Sequence, residues 1–158
     1  MKILIIGHGQ HGKDTLAEML ITKYQLKFKS ATMYACEHII YPVIGSNYNS
    51  IQECYDDRVN CRELWKELIT VYNTPIKSNL VKNVLEYSDI YVGLRDIAEY
   101  EACMEQKLFD LVIGIYNPSI PLDTTFNIPL EVADVLILNN RDITHLQKIV
   151  NELPNIYS

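Results

Sequence analysis

The sequence lacks the features that mark a membrane-spanning or secreted protein. None of its apolar runs approaches the roughly 18 residues of a membrane-spanning helix, and the apolar start at residues 3–6 is too short for a signal peptide. The cysteines Cys36, Cys54, Cys61 and Cys103 show neither C-x-x-C spacing nor histidine partners at the spacing of a zinc site. We therefore expect reduced thiols and a reducing, cytoplasmic compartment.

Positive charge is also scarce. Fourteen Lys and Arg residues against 20 Asp and Glu residues leave a net charge of −6 at pH 7. Because non-specific binding to nucleic acid depends mostly on cationic contacts to phosphates, this balance argues against a protein that coats long polyanions. A ligand that carries phosphate would need a local site built for it.

The sequence has no internal repeat, low-complexity tract or linker-like shift in composition. Of its 158 residues, 48% are hydrophobic and 22% are charged, as in an ordinary globular protein. This length fits one domain with one sizeable core. We therefore expect a single domain over residues 1–158.

Short apolar runs alternate with segments of helical periodicity. The predicted strands cover residues 3–6, 28–33, 90–92, 111–116 and 135–138. Between them, apolar residues recur at helical spacing, most clearly over residues 61–72. Asp96, with Glu99 three residues later, has the capping-box pattern of a helix start. Strands separated by helices imply a parallel five-stranded sheet with helices on both faces, the three-layer α/β class.

The first predicted strand leads directly into a glycine-rich motif. Residues 7–15, GHGQHGKDT, satisfy the pattern G-x-x-x-x-G-K, with Asp14 where Ser or Thr usually stands and Thr15 next. Glycines let consecutive backbone N–H groups turn towards a polyphosphate, and the helix that follows presents the positive end of its dipole. Lys13 would supply a point charge for the β and γ phosphates. Such a site binds a triphosphate whatever the net charge of the chain.

Asp14 and Thr15 are the predicted magnesium ligands. A carboxylate is a hard oxygen ligand, so Asp14 would hold the ion directly or through water. The alternative is that Asp14 only complements the dipole of the first helical turn. His8 and His11 are interpreted as neighbours of the phosphates rather than catalysts, because phosphoryl transfer depends on positioning and charge.

Several motifs together resemble a known family. Residues 12–15, GKDT, look like the phosphate loop of bacteriophage deoxynucleoside monophosphate kinases. Three further stretches are similar to such kinases in the same order along the chain: ECYDDR at residues 53–58 leading to Arg62 and Trp65, DIYVGLR at residues 89–95 followed by Glu99, and the pairs Ala133-Asp134 and Asn139-Asn140. The resemblance spans nearly the whole chain.

The resemblance implies a P-loop kinase fold that transfers the γ-phosphoryl group of ATP to a deoxynucleoside monophosphate, with ATP and Mg²⁺ as cofactors. The location would be cytoplasmic, in the host cytoplasm for a phage protein. Expected partners are small nucleotides, without a membrane or long nucleic acid, and a homodimer is left open. Two alternatives also stay open: a modified pyrimidine acceptor, free or in DNA, and a protein that binds nucleotides with little catalysis.

The predicted site residues follow from the motif and from the resemblance. Nucleotide binding is assigned to Gly7, Gly9, Gln10, His11, Gly12, Lys13, Asp14, Thr15, Asn139 and Asn140. Acceptor binding is assigned to Ser30, Asp57, Arg58, Arg62 and Arg95. Lys13 and the same three arginines are the predicted catalytic residues. For Asp57 and Arg58 the alternative is a solvated ion pair, and for Asn139 and Asn140 an ordinary turn.

Arg58 and Arg62 are four residues apart at the predicted start of the long helix, so they would share a face and grip a phosphate bidentately. The acceptor side is expected in a helical region over about residues 34–87. Residues 116–131 are expected to form a lid loop that closes on binding. That loop contains no Arg or Lys, and Gly93 stands where related kinases often carry an Asp that organises magnesium. Charge neutralisation would therefore fall on Lys13 and the arginines.

Overall fold

The computed structural model describes residues 1–155 as a parallel sheet flanked by helices, which confirms the predicted α/β class. The strands are β1 (Ile3–Ile6), β2 (Ile90–Val92), β3 (Leu111–Tyr116) and β4 (Val135–Leu138). The α-helices are α1 (Lys13–Tyr24), α2 (Ala31–Ala35), α3 (Tyr41–Ile44), α4 (Ile51–Asp56), α5 (Arg62–Tyr72), α6 (Asn79–Val84), α7 (Ile97–Glu105) and α8 (Ile143–Glu152). A π-helical turn (Cys36–Ile40) joins α2 to α3. Among these helices, none is long and apolar enough to span a bilayer.

β1 lies in the interior of the sheet, whose strand order is β2-β1-β3-β4 with every pair parallel. Ile3 is the register partner of Ile90 on one side and of Leu111 on the other. All residues of β1 are fully buried, as expected for a strand that helices cover on both faces. Because the strands are parallel, their carboxyl ends share one edge, where open α/β sheets bind ligands.

The side chains of successive β1 residues pack into two different apolar cores, because neighbouring side chains of a strand point to opposite faces of the sheet. Leu4 and Ile6 pack into a core with side chains from helices α2, α5, α6 and α7. Ile3 and Ile5 pack into a second core with side chains from helices α1 and α8. The sheet is therefore the middle of three layers.

The sheet has four strands, not the five that the sequence predicts. Residues 28–33 do not form a strand, because Ser30 caps α2: its hydroxyl accepts a hydrogen bond from the Met33 N–H at 3.2 Å. Phe28, whose apolar side chain suggested a buried strand, is 50% exposed. Apolar residues in this stretch therefore belong to a capped helix start.

Side chains next to β2 take the backbone groups that a fifth strand would pair. The Lys27 N–H donates to the Asp89 carboxylate at 2.8 Å, and the Lys29 N–H donates to the Ser88 hydroxyl at 3.1 Å. The chain thus passes the start of β2 without forming a ladder. This arrangement leaves β2 as an edge strand.

Replacing Ser30 by alanine should lower the free energy of unfolding by about 1 kcal/mol, because the first turn of α2 loses its capping acceptor. Urea unfolding followed by circular dichroism measures the change. Ser46→Ala, at an exposed serine in a 3₁₀ turn, is the matched control. Equal midpoints for the two variants would contradict a capping role for Ser30.

Candidate functional site

The glycine loop, residues 7–12, connects β1 to α1 at the carboxyl edge of the sheet. A Cβ on Gly7 would lie 2.7 Å from the carbonyl oxygen of Ile115 in β3, so a larger residue does not fit without a shift. Gly12 has a φ of 108°, in the region that residues with a side chain rarely adopt. The backbone therefore requires glycine at both ends of the loop.

The side chain of Lys13, the first residue of α1, folds back over the glycine loop. Its Nζ donates hydrogen bonds to the carbonyl oxygens of Gly7 (2.8 Å) and His8 (2.9 Å). Burial lowers the pKa of Lys13, the nearby Arg95 guanidinium lowers it further, and two neighbouring carboxylates raise it. A half-buried ammonium whose hydrogen-bond partners here are neutral carbonyls favours the approach of an anion.

Residues 117–125, termed the cover loop, lie against the glycine loop and are held there by His11. The Nδ1 of His11 accepts a hydrogen bond from the Asn117 N–H (3.0 Å), and its Nε2 donates to the Pro121 carbonyl (3.1 Å). An N–H only donates and a carbonyl only accepts, so this geometry requires the neutral ring with its proton on Nε2. His11 is fully buried. It is an anchor of the cover loop.

His8 makes a second contact between the two loops. Its Nδ1 accepts a hydrogen bond from the Asp123 N–H at 3.0 Å, and its ring meets the Phe126 ring edge-on at 4.7 Å between centroids. The two histidines of the motif therefore use their ring nitrogens to hold the residues that follow β3. Sequence reasoning assigned them no such role, because their partners lie more than 100 residues away.

The Asp123 carboxylate joins the cover loop to Arg95. It forms an ion pair with the Arg95 guanidinium and accepts hydrogen bonds from the N–H (2.9 Å) and hydroxyl (2.6 Å) of Thr125. The bonds from Thr125, followed by the bond from Arg95, hold the pKa of Asp123 well below its usual range. A Cβ on Gly9 would lie 3.0 Å from an Asp123 oxygen, so this carboxylate lies directly against the glycine loop.

The three predicted arginines line one cavity of about 740 Å³, termed the arginine cleft. Arg58, Arg62 and Arg95 come from three separate segments of the chain and share this cavity with Trp65 and Asp123. Guanidinium groups that converge on one cavity suit a phosphate, which they can bind bidentately. The arginines chosen from the sequence thus lie together.

The sequence predicts that Arg58 and Arg62 share one helix, but in the structure they do not. Arg58 lies in a 3₁₀ turn (Asp57–Asn60), and Cys61 breaks the helix with a φ of −128° before α5 begins. The Arg58 guanidinium lies 4.0 Å from the centre of the Tyr55 ring and donates to the Tyr55 carbonyl at 3.0 Å. This aromatic support, rather than a common helical face, positions Arg58.

Two predicted acceptor residues have local roles instead. The Asp57 carboxylate accepts hydrogen bonds from the Asn60 amide and the Tyr48 hydroxyl, both at 2.8 Å, and these bonds lower its pKa. Among the ion pairs found within residues 1–155, none joins Asp57 to Arg58. Ser30 caps α2. Neither Asp57 nor Ser30 lines the arginine cleft.

Asn139, the residue after β4, supports the glycine loop. Its amide donates to the His11 carbonyl at 3.0 Å, and a Cβ on Gly12 would lie 2.6 Å from that amide nitrogen. The same asparagine pairs its backbone N–H with the Tyr116 carbonyl at 2.7 Å. Asn140 and Gln10, also predicted to bind the nucleotide, are exposed at the edge of this region.

Asp14 and Thr15 lie in the first turn of α1, with Asp14 exposed. Within the described part of the chain, no group of three or more His, Cys, Asp or Glu side chains could hold a metal ion. Mg²⁺ at phosphate sites usually takes one or two carboxylates and completes its shell with phosphate oxygens and water. Asp14 and Thr15 therefore fit an ion that arrives with a nucleotide.

A second cavity of about 700 Å³, termed the aromatic groove, adjoins the arginine cleft. The two cavities share Thr32, Arg62, Trp65, Arg95 and Thr125. Helices α2 and α5, the end of β2 and the start of α7 form the groove. Gly93 borders it with a φ of 106° and no atom within 4 Å of a Cβ built there, so the groove is open at this point.

Sequence reasoning missed three residues of these cavities. Tyr91 and Glu99 were named only in a strand, a helix cap and the stretches that carry the resemblance, and Asp123 only as part of a loop, so none was predicted as a site residue. All three line the arginine cleft or the aromatic groove. No family model matches the chain, and a search among curated proteins finds no match either.

Replacing His11 by alanine should release the cover loop, because the Asn117 N–H and the Pro121 carbonyl lose their partner. Hydrogen exchange of amides in residues 117–125 should rise about tenfold or more, while that of β3 stays slow. His145→Ala, at a half-buried histidine of α8, is the control. Unchanged exchange in residues 117–125 would show that His11 does not hold this loop.

Proposed function

We propose that the protein transfers the γ-phosphoryl group of ATP to a deoxynucleoside monophosphate, giving the diphosphate. One observation carries the proposal: the arginine cleft adjoins the glycine loop, and the Asp123 carboxylate borders both. A loop suited to a triphosphate and a cationic cleft beside it would hold two anionic substrates next to each other. Phosphoryl transfer depends mainly on such positioning and on charge stabilisation.

The donor nucleotide would bind at the glycine loop. Backbone N–H groups of the loop and the positive end of α1 attract the polyphosphate. Lys13 would exchange its two carbonyl partners, Gly7 and His8, for phosphate oxygens. Asp14 and Thr15 would hold Mg²⁺ together with the phosphates, and the ion would neutralise charge on the transferred group.

The acceptor phosphate would bind in the arginine cleft. Arg62 and Arg58 offer planar guanidinium groups that can hold a phosphate in a fixed orientation. Arg95 is paired with Asp123, so an incoming phosphate would compete with that carboxylate for the guanidinium. This exchange aligns the acceptor oxygen with the γ-phosphoryl group and stabilises charge as the transfer proceeds.

The cover loop would keep water from the reacting groups. It brings no Lys or Arg to the site, so it adds no positive charge. Its contacts to His8, His11 and Arg95 cover the glycine loop from one side. Excluding water strengthens the remaining electrostatic interactions and suppresses hydrolysis of ATP.

A second candidate is a nucleotide-binding protein with little catalysis. Two observations favour it: Gly93, the residue after β2, carries no carboxylate, and the loop against the glycine loop contains no Arg or Lys but an acid, Asp123. Both candidates predict that ATP raises the melting temperature. They differ in turnover, which a coupled assay for ADP release with Mg²⁺ and each of the four deoxynucleoside monophosphates measures.

Replacing Lys13 by alanine should reduce ADP release in that assay to background while circular dichroism stays that of the wild type. The reason is that, among residues 1–155, no cation other than Lys13 contacts the carbonyls of Gly7 and His8. Lys148→Ala, at an exposed position of α8, should retain full activity. An active Lys13→Ala protein would refute the mechanism, and ATP binding without ADP release by the wild type would favour the second candidate.

A further inference from the structure

The carboxyl group of Glu99 borders the aromatic groove without a partner. The Glu99 side chain forms no hydrogen bond or ion pair with another residue in the described part of the chain, although its backbone N–H donates to Asp96 at 3.3 Å. Burial raises the pKa of Glu99, the Asp96 charge raises it further, and Lys77 lowers it. A partly buried acceptor without a donor costs free energy that a ligand with N–H groups would recover.

Two aromatic residues line the aromatic groove together with Glu99. Trp65 is 6% exposed and borders both cavities, and Tyr91 lines the groove alone. The indole N–H of Trp65 is a buried donor for which residues 1–155 provide no acceptor. Aromatic walls favour a planar ring, as in sites that bind nucleic acid bases.

The two cavities differ in charge along their joint length. Arg58 lines only the arginine cleft, Glu99 and Tyr91 line only the aromatic groove, and Arg62 and Arg95 line both. A monophosphate whose phosphate lies in the cleft against all three arginines would therefore extend its base into the groove that Glu99 lines. The part of the ligand that reaches Glu99 must offer hydrogen-bond donors, because an ionised carboxylate only accepts.

We propose that the aromatic groove selects guanine, and that the Glu99 carboxylate reads it. This inference rests on the proposed function, since it names the acceptor base of that same site. Guanine carries two adjacent donors, its ring N1–H and its 2-amino group, which match the two oxygens of a carboxylate. Adenine and cytosine place an amino group beside a ring nitrogen lone pair, and thymine places one N–H between two carbonyls, so each repels the carboxylate.

The test uses the single tryptophan of the chain. Because Trp65 borders both cavities, its fluorescence reports binding of a deoxynucleoside monophosphate without any turnover. The wild type should bind dGMP about tenfold or more tightly than dAMP, dCMP or dTMP. Glu99→Gln should weaken the binding of dGMP about 10- to 100-fold. It should strengthen the binding of dAMP or dCMP, because an amide side chain offers one donor and one acceptor. Glu101→Gln, at an exposed position of the same helix, should leave every affinity unchanged.

The outcomes separate this inference from the proposed function. Binding and turnover of several monophosphates without a preference for dGMP, or a dGMP affinity that Glu99→Gln leaves unchanged, would overturn the guanine assignment alone. A wild type that binds none of the monophosphates and releases no ADP with them would overturn the proposed function as well. The ranking of the four bases by the wild type decides the question even if Glu99→Gln does not fold.

Discussion

The complete burial of β1 is the constraint on which the rest of the structure depends. Helices cover both faces of β1, β2 and β3 pair with its two edges, and Gly7 follows its last residue directly. Gly7 lies against the Ile115 carbonyl, where a Cβ has no room. The glycine loop, the start of α1 and the ends of β2 and β3 are thereby gathered at one edge of the sheet. The candidate site is a consequence of this arrangement.

Three of the four cations that would bind phosphate already have a partner within the protein. Lys13 donates to loop carbonyls, Arg58 contacts the Tyr55 ring, and Arg95 pairs with Asp123. The chain has a net charge of −6. An anion that binds these three groups would therefore replace their present partners rather than neutralise unpaired positive charge. The pair between Arg95 and Asp123 connects the two proposed substrates, because the same carboxylate touches the glycine loop and the arginine cleft.

Local patterns made the strands, the long helix and the glycine loop predictable, because each depends on residues close in sequence. The fifth strand was wrongly predicted because Ser30 caps α2 and because the hydroxyl of Ser88, just before β2, takes the N–H of Lys29. The roles of the two motif histidines depend on tertiary contacts that no spacing encodes. His11, for example, accepts a hydrogen bond from the N–H of Asn117, which lies 106 positions further along the chain. Glycines and the motif lysine were predictable because backbone geometry demands them at fixed offsets.

The central claim is that one edge of the sheet holds a phosphoryl donor and its acceptor together. The most direct measurement follows a radioactive label from the γ position of ATP after incubation with the protein, Mg²⁺ and a deoxynucleoside monophosphate. The account predicts that the label appears in the deoxynucleoside diphosphate. Label that stays in ATP, or that appears only as inorganic phosphate, would contradict it.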